Sequence, residues 1–265
     1  MRAKRSLGQN FLVSQKVVAD IAAECRELLR HARGLLEIGP GQGALTKELA
    51  LLGIPLALVE KDDLLAADLA QRFPSAKVYN ADVLEMDLDE ILGTEAAGAW
   101  LVAGNLPYNQ GTAIVKRFLQ SPSRVTGLVF MLQAEVVQKF CALPGELGYG
   151  PLAVLSRTWW RPERLMRVPP GAFRPAPKVA SAVVKLVPLA SPILDVPCFD
   201  EFASFVDACF NAPRKLLAAN VAALAGEKGV AAKWMETAEI GLHVRPADVS
   251  PEAFARLFLA SVKED

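Results

Sequence analysis

The chain has 265 residues, 52% of them apolar, with 29 basic and 29 acidic side chains and so no formal net charge. That length and apolar content allow one sizeable core, or one large domain with an appendage. Zero net charge argues against binding nucleic acid through bulk charge, so phosphate contacts would have to come from local basic groups.

In chain order, residues 1–14 are basic but lack the apolar stretch of a secretory signal. Leu35 to Ile38 reads as a strand that runs into glycines. Ala44 to Leu52 reads as a helix, stopped by Gly53 and followed by Pro55. Leu56 to Val59 is the next strand and Asp63 to Arg72 the next helix, ending before Pro74. The longest apolar run, Leu49 to Val59, is too short to span a membrane and contains Gly53 and Pro55. Lys77 to Tyr79, Trp100 to Ala103 and Val125 to Leu132 are further strands. Strands alternating with helices predict an α/β fold with a parallel sheet covered on both faces.

The pattern changes after Tyr149. Leu165 to Val168 and Ser181 to Val187 flank a proline-rich stretch and suit a hairpin at the sheet edge. Pro188, Pro192 and Pro197 mark a linker, and Phe199 to Lys263 reads as helical and alanine-rich, broken at Gly226 and Gly229. The expected domains are 1–190 and 191–265. Cys25, Cys141, Cys198 and Cys209 have no C-x-x-C spacing, and His31 and His243 are far apart. No metal site is expected, and the thiols suit a reduced cytoplasmic protein.

Glu37-Ile38-Gly39-Pro40-Gly41-Gln42-Gly43 joins a strand to a helix. Glycines there let the backbone turn tightly and approach a ligand. Glu60 ends the next strand at the spacing of a ribose-binding acid. A dinucleotide and S-adenosylmethionine both fit these features. Two acids favour the second: Glu37 can help hold the cationic amino group of a methionine moiety, and Asp82, after the third strand, can accept a hydrogen bond from an adenine amine. As helix caps, Glu60 and Asp82 would have a purely structural role.

Asn105-Leu106-Pro107-Tyr108 follows the fourth strand. An adenine amine is a poor nucleophile because its lone pair is delocalised into the ring. The Asn105 side-chain carbonyl and the backbone carbonyl of Leu106 or Pro107 can each accept one N–H, localising that pair and aiming it at a methyl sulfonium. Pro107 stiffens the turn, and Tyr108 can stack on a base that has left its helix.

With these motifs in order, the chain resembles the KsgA-type rRNA adenine dimethyltransferases along nearly its whole length. The resemblance also rests on Gly8 to Leu12, Met131-Leu132-Gln133, Tyr149-Gly150, Val168 to Phe173, Pro177-Lys178-Val179, Ser181 to Val184 and Arg214-Lys215. It implies a class I, Rossmann-like, seven-stranded S-adenosylmethionine methyltransferase domain with a helical C-terminal domain. It implies dimethylation of N6 on two adjacent adenosines in the last hairpin of small-subunit rRNA, within an immature 30S particle. Carried over by motif, Asn10 and Leu12 would close over the cofactor and Gly39 would contact it, with Gly41 in the same loop. Glu60 would bind its ribose, Asp82 its adenine, and Asn105 would sit at the reaction centre. Phe173 would face Tyr108 across the flipped base. The chain departs from the family at Gln110-Gly111, where an Ile and a small hydroxyl residue are common, and at Ala134, Pro151, Ala180 and Pro213, several of which remove charge.

Candidate phosphate contacts are Arg2, Lys4 and Arg5; Lys116 and Arg117; Arg157, Arg161, Arg164 and Arg167; Arg174 and Lys178; and Arg214 and Lys215. Trp159-Trp160 suits a core more than a base platform. The alternatives are an Erm-type enzyme acting on large-subunit rRNA, a DNA adenine methyltransferase, and an assembly factor that binds RNA without catalysis. A monomer with no membrane partner is expected.

Overall fold

A computed structural model describes residues 10–93 and 98–262. Arg2, Lys4, Arg5, Gly8, Gln9 and Lys263 lie outside the described residues. In chain order come β1 (Phe11–Leu12), α1 (Gln15–Leu28), β2 (Ala32–Ile38), α2 (Ala44–Ala50), β3 (Leu56–Glu60), α3 (Asp63–Arg72) and β4 (Lys77–Asn80). These are followed by α4 (Asp89–Leu92), β5 (Ala99–Asn105), α5 (Gly111–Leu119), β6 (Val125–Gln133), α6 (Ala134–Cys141) and α7 (Pro151–Trp159). The chain continues through β7 (Trp160–Val168), β8 (Phe173–Arg174), β9 (Ser181–Pro188), α8 (Phe199–Cys209), α9 (Leu217–Ala225), α10 (Lys228–Thr237) and α11 (Pro251–Val262).

The main sheet has seven strands in the order β4-β3-β2-β5-β6-β9-β7. Strands β4 to β6 run parallel, and β9 is antiparallel to β6. All five residues of β3 are buried, as a strand covered on both faces requires. The order reverses between β2 and β5: the chain adds β3 and β4 on one side, then returns to add β5 and β6 on the other. Ligands bind open α/β sheets at such a switch point, beyond the carboxyl ends of the strands. Ile38, Glu60, Asn80 and Asn105 are the last residues of β2, β3, β4 and β5, so Glu60 and Asn105 stand along that edge.

Local chemistry explains the helix boundaries near this edge. Asp62, not Glu60, caps α3, its carboxylate accepting the N–H groups of Leu64 and Leu65. Gly53, at φ 71°, turns the chain out of α2 toward β3. A second sheet pairs β1 with β8, setting Leu12 opposite Phe173 and Phe11 opposite Arg174. The N–H groups of Val13 and Ser14 both donate to the Ala172 carbonyl, extending that anchorage.

The contacts divide the chain into two compact units. Residues 1–137 and 163–188 form one, and residues 138–162 and 189–265 the other. One boundary was expected from the sequence, at 190/191; the contacts cross the chain three times. Residues 138–162 join the later helices because α7 packs on α8 and α11. Within the second unit Trp159 lies 4.9 Å from Phe199 and edge-on to Phe202, and Phe202 meets Phe258. Tyr149 donates its hydroxyl to the Val249 carbonyl at 2.7 Å. In the first unit, α1 lays Val18, Ile21 and Cys25 against Leu35, Leu101 and Val129 of the sheet. Cys25 and Cys209 are buried, and burial pushes each thiol up to about 12.

Candidate functional site

Gly39, Gly41 and Gly43 all adopt left-handed backbone, at φ 64°, 56° and 73°. Only glycine takes this conformation without steric cost, so the loop can stay open beneath a ligand. It lies under Phe11, whose ring would be 3.1 Å from a β-carbon on Gly41. Glu60 ties the loop down: its Oε2 accepts the Gly41 N–H at 3.0 Å and its Oε1 accepts the Asp62 N–H at 2.9 Å. Each carboxylate oxygen has a second lone pair for a hydroxyl donor. Burial pushes the Glu60 carboxyl up, against the opposing pull of the Asp62 and Gly41 N–H groups.

Glu37 is almost fully enclosed at 1% exposure and accepts a hydrogen bond from Thr46 Oγ1 at 2.7 Å. Burial pushes its carboxyl up to about 8; the Thr46 bond opposes this and the Glu60 charge adds to it. A cation arriving beside Glu37 would offset that desolvation. Asp82 is set differently. Burial raises its pKa, but Lys61 Nζ at 2.6 Å on Oδ2, the Leu84 N–H at 2.9 Å on Oδ1 and the Gln110 side chain together hold it below the ordinary carboxylate range. It is therefore an ionised, acceptor-only group.

The reaction loop is held by long-range bonds. Asn105 donates from Nδ2 to the Asn10 carbonyl at 3.0 Å. A carbonyl can only accept, so this bond sets the sense of the amide and leaves Oδ1 out of it. The Pro107 carbonyl accepts the N–H groups of Gln110 and Gly111 at 3.1 and 2.8 Å, which start α5. Of the two backbone acceptors considered from sequence, Pro107 is thus engaged within the fold, leaving Leu106. The Leu106 N–H is tied to the Met131 carbonyl at 3.1 Å. Tyr108 and Ser181 share a 2.6 Å hydrogen bond between hydroxyls. Burial raises the Tyr108 phenol, and the Ser181 bond partly offsets it.

These groups line one cleft of about 1040 Å³, counting its open mouth. Asn10, Leu12, Glu37, Gly39, Gly41, Glu60 and Asp82 meet Asn105, Leu106, Pro107 and Tyr108 on its wall. Phe173 does not join them. Its side chain is fully enclosed in the core with Leu12, Met131, Val168 and Val183. It stands opposite Leu12 in the β1–β8 pair, and unlike Leu12, which also reaches the cleft, its ring has no exposed surface.

Several residues of the site carry no spacing signal in the sequence. Thr46, Lys61 and Ser181 act only through partners that the fold delivers, and Gln110 stood out only as a departure from the family. Arg117, one of the candidate phosphate contacts, turns inward: its guanidinium donates to the carbonyls of Leu84 and Met86 and so fastens the loop that begins at Asp82. Arg157 is likewise spent on the carbonyls of Cys141 and Ala142. Arg161, Arg164, Arg167 and Lys178 remain exposed, as do Arg214 and Lys215 on the second unit. Among the described residues no cluster of His, Cys, Asp and Glu could hold a metal ion, and no helix is long and apolar enough to cross a membrane.

A family model described as ribosomal RNA adenine dimethylase matches residues 1–262. The chain belongs to the ribosomal RNA adenine dimethylase family. Ribosomal RNA small subunit methyltransferase A of Geobacter sulfurreducens is 43% identical to it over 222 residues, covering 82% of this chain and 79% of the relative. The protein of the same name from Acidithiobacillus ferrooxidans is 38% identical over 271 residues, covering 99% and 96%. Among solved structures, the 23S rRNA methyltransferase ErmE superposes with a TM-score of 0.71 at 29% identity, covering 95% of this chain and 99% of its own. A dimethyladenosine transferase from Plasmodium falciparum superposes with a TM-score of 0.79 at 21% identity, over 96% and 98%. The fold is that of the Rossmann-like methyltransferases. Membership of the adenine dimethylase family makes the chain an rRNA-modifying enzyme, and its cleft the place to look for the chemistry.

Proposed function

We propose that the protein uses S-adenosylmethionine to dimethylate N6 of two adjacent adenosines in the 3′-terminal hairpin of small-subunit (16S) rRNA. The substrate is rRNA within an immature 30S particle, and the enzyme acts as a cytoplasmic monomer. The observation that carries the reading is the tether of Asn105, at the head of the reaction loop, to Asn10, on the same wall as the Gly-rich loop. One cleft then serves both a methyl donor and a planar amine.

The residues fit the cofactor by their chemistry. Gly39 and Gly41 keep β-carbons out of the floor. Glu60 retains lone pairs for ribose hydroxyls, Asp82 is an ionised acceptor for an adenine amine, and enclosed Glu37 suits the methionine ammonium. Asn10, Phe11 and Leu12 cover the site and limit water. When bound, S-adenosylmethionine supplies an electrophilic methyl on a sulfonium.

Asn105 Oδ1 and the Leu106 carbonyl accept the two N–H bonds of the target amine and turn its lone pair toward that methyl. The amine grows more acidic as the new N–C bond forms, so its proton passes to water without a strong base. After the first transfer one N–H remains, and one acceptor suffices to aim the second. Tyr108, its hydroxyl pinned by Ser181, offers a fixed ring for stacking. We assign the transfer chemistry to residues 1–190 and RNA contacts to residues 191–265, where Arg214 and Lys215 are exposed.

The relatives' names support the small subunit as target. The 29% identity to ErmE over nearly the whole chain keeps the large-subunit reading in play. The test offers immature small subunits and deproteinised large-subunit rRNA to the enzyme with labelled methyl donor. Two methyl groups on each of two adjacent small-subunit adenosines are expected. Label on large-subunit rRNA would transfer the assignment to the Erm-type reaction. Absence of label with intact RNA binding would favour an assembly factor.

A further inference from the structure

Arg117 lies on α5, whose Ile114, Val115, Phe118 and Leu119 are buried. The ring of Phe118 meets that of Phe130 in β6, so the helix is docked on the sheet. The Arg117 guanidinium donates to two main-chain carbonyls, that of Leu84 at 2.9 Å and that of Met86. Among the described residues it pairs with no carboxylate. A half-buried guanidinium held by neutral acceptors alone is a costly anchor. The segment it anchors begins at Asp82.

The same two residues also hold Asp82. The Leu84 N–H donates to Asp82 Oδ1 at 2.9 Å, and the Met86 N–H donates to the Asp82 carbonyl at 3.0 Å. Leu84 and Met86 thus turn their N–H groups to Asp82 and their carbonyls to Arg117. Otherwise the segment is a surface turn: between residues 82 and 88 only Val83 and Leu88 are buried, and Glu85 and Asp87 are exposed. A turn with so few buried contacts opens readily. A side chain that reads a ligand must be kept within about 0.5 Å of its working position by its supporting residues. Arg117, based on a docked helix, supplies that support from beneath.

We infer that Arg117 is a positioning residue for the cofactor's adenine, fixing the 82–86 turn so that the Asp82 carboxylate is aimed at the adenine amine. Asp82 lines the cleft and Arg117 does not, so Arg117 acts through the turn and never on the ligand itself. The inference rests on the S-adenosylmethionine reading above. It also gives this arginine a role unrelated to phosphate, since its donors are already engaged inside the fold.

Calorimetry with S-adenosylhomocysteine on the whole protein, on Arg117→Met, on Asp82→Asn and on the double variant tests this. Asp82→Asn should weaken the ligand about ten-fold, as weakening a hydrogen bond to a charged group does, and Arg117→Met about five-fold. Because Arg117 works through Asp82, the double variant should bind no more than about two-fold worse than Asp82→Asn alone, whereas independent effects would multiply to about fifty-fold. The same cycle is run with Arg117→Lys, which keeps a donor for one carbonyl and disturbs folding less; about three-fold loss is expected, again with none added to Asp82→Asn. Multiplied losses in either cycle would mean a general brace, and full affinity in Arg117→Met would mean no role in binding; both overturn the inference. Full affinity in Asp82→Asn, or no binding by the unaltered protein, would instead sink the adenine contact or the cofactor reading, and this inference with it.

Discussion

On the Gly-rich side of the cleft, the tethers join residues close in sequence: Thr46 to Glu37 across 9 positions, Gly41 to Glu60 across 19, Lys61 to Asp82 across 21. On the reaction side they span far more, with Tyr108 to Ser181 across 73 and Asn105 to Asn10 across 95. Closing a longer loop costs more chain entropy, so bonds of the second kind depend more on the sheet to hold their partners close. The first side is a product of local strand–turn–helix units. The second is a product of the assembled fold, and it can be disturbed while the first stays intact.

Asn105→Ala is the strongest attack on that separation. It removes an acceptor used in the transition state and should lower kcat by about 10²–10³-fold, as losses of single preorganised polar groups do. Methyl incorporation into small subunits measures this, while the dissociation constant for S-adenosylhomocysteine should hold within a few-fold. A parallel collapse of cofactor binding would show that the two sides are one unit. Gly104→Ala attacks where the sides join. Its β-carbon would sit 2.3 Å from the Ile38 carbonyl oxygen, so β5 and the strand feeding the Gly-rich loop must part. A loss of about 1–3 kcal/mol of stability in urea unfolding is expected, with methyl transfer and cofactor binding both falling. An unchanged midpoint would refute the close approach.

Ser181→Ala is milder. It frees the Tyr108 ring at a cost of about 1 kcal/mol, so kcat/KM for small subunits should fall roughly five-fold while cofactor affinity is unaffected. The smallest effect is a proton. Glu37 is raised from 4.5 to about 8 in the fold, so its stabilising protonated state is fully present below 4.5 and lost as pH rises through about 8. A cofactor ammonium favours the ionised carboxylate, so binding at pH 7 should release a proton. Calorimetry in buffers of different ionisation heat reads that release directly, and Glu37→Gln should abolish it. Equal heats in all buffers for the unaltered protein would place the ammonium elsewhere.

Much of this was legible before any coordinates. The run from Glu37 to Gly43, the strand-end acids and Asn105 to Tyr108 are contiguous or evenly spaced, and strand periodicity located them at sheet ends. Phe173 misled for the opposite reason. Its motif position says nothing about which face it takes, and in the fold it is fully buried in the core cluster with Met131, Val168 and Val183. Arg117 and Arg157 could be named only as candidates, because charge in a sequence does not reveal whether a backbone carbonyl waits nearby. Residues 138–162 read as part of the first domain because chain order carries no record of which helices pack together.

By itself, then, the sequence determined the alternation of strands and helices, the left-handed glycine turn, the acids at strand ends and the family, since each depends on near neighbours or on motif order. Only the tertiary structure decided which carbonyl of the reaction loop stays available, which arginines face inward, and that Ser181 meets the Tyr108 hydroxyl. Those outcomes depend on partners tens of residues away, and a hydrogen bond exists only once both ends have been brought within about 3 Å.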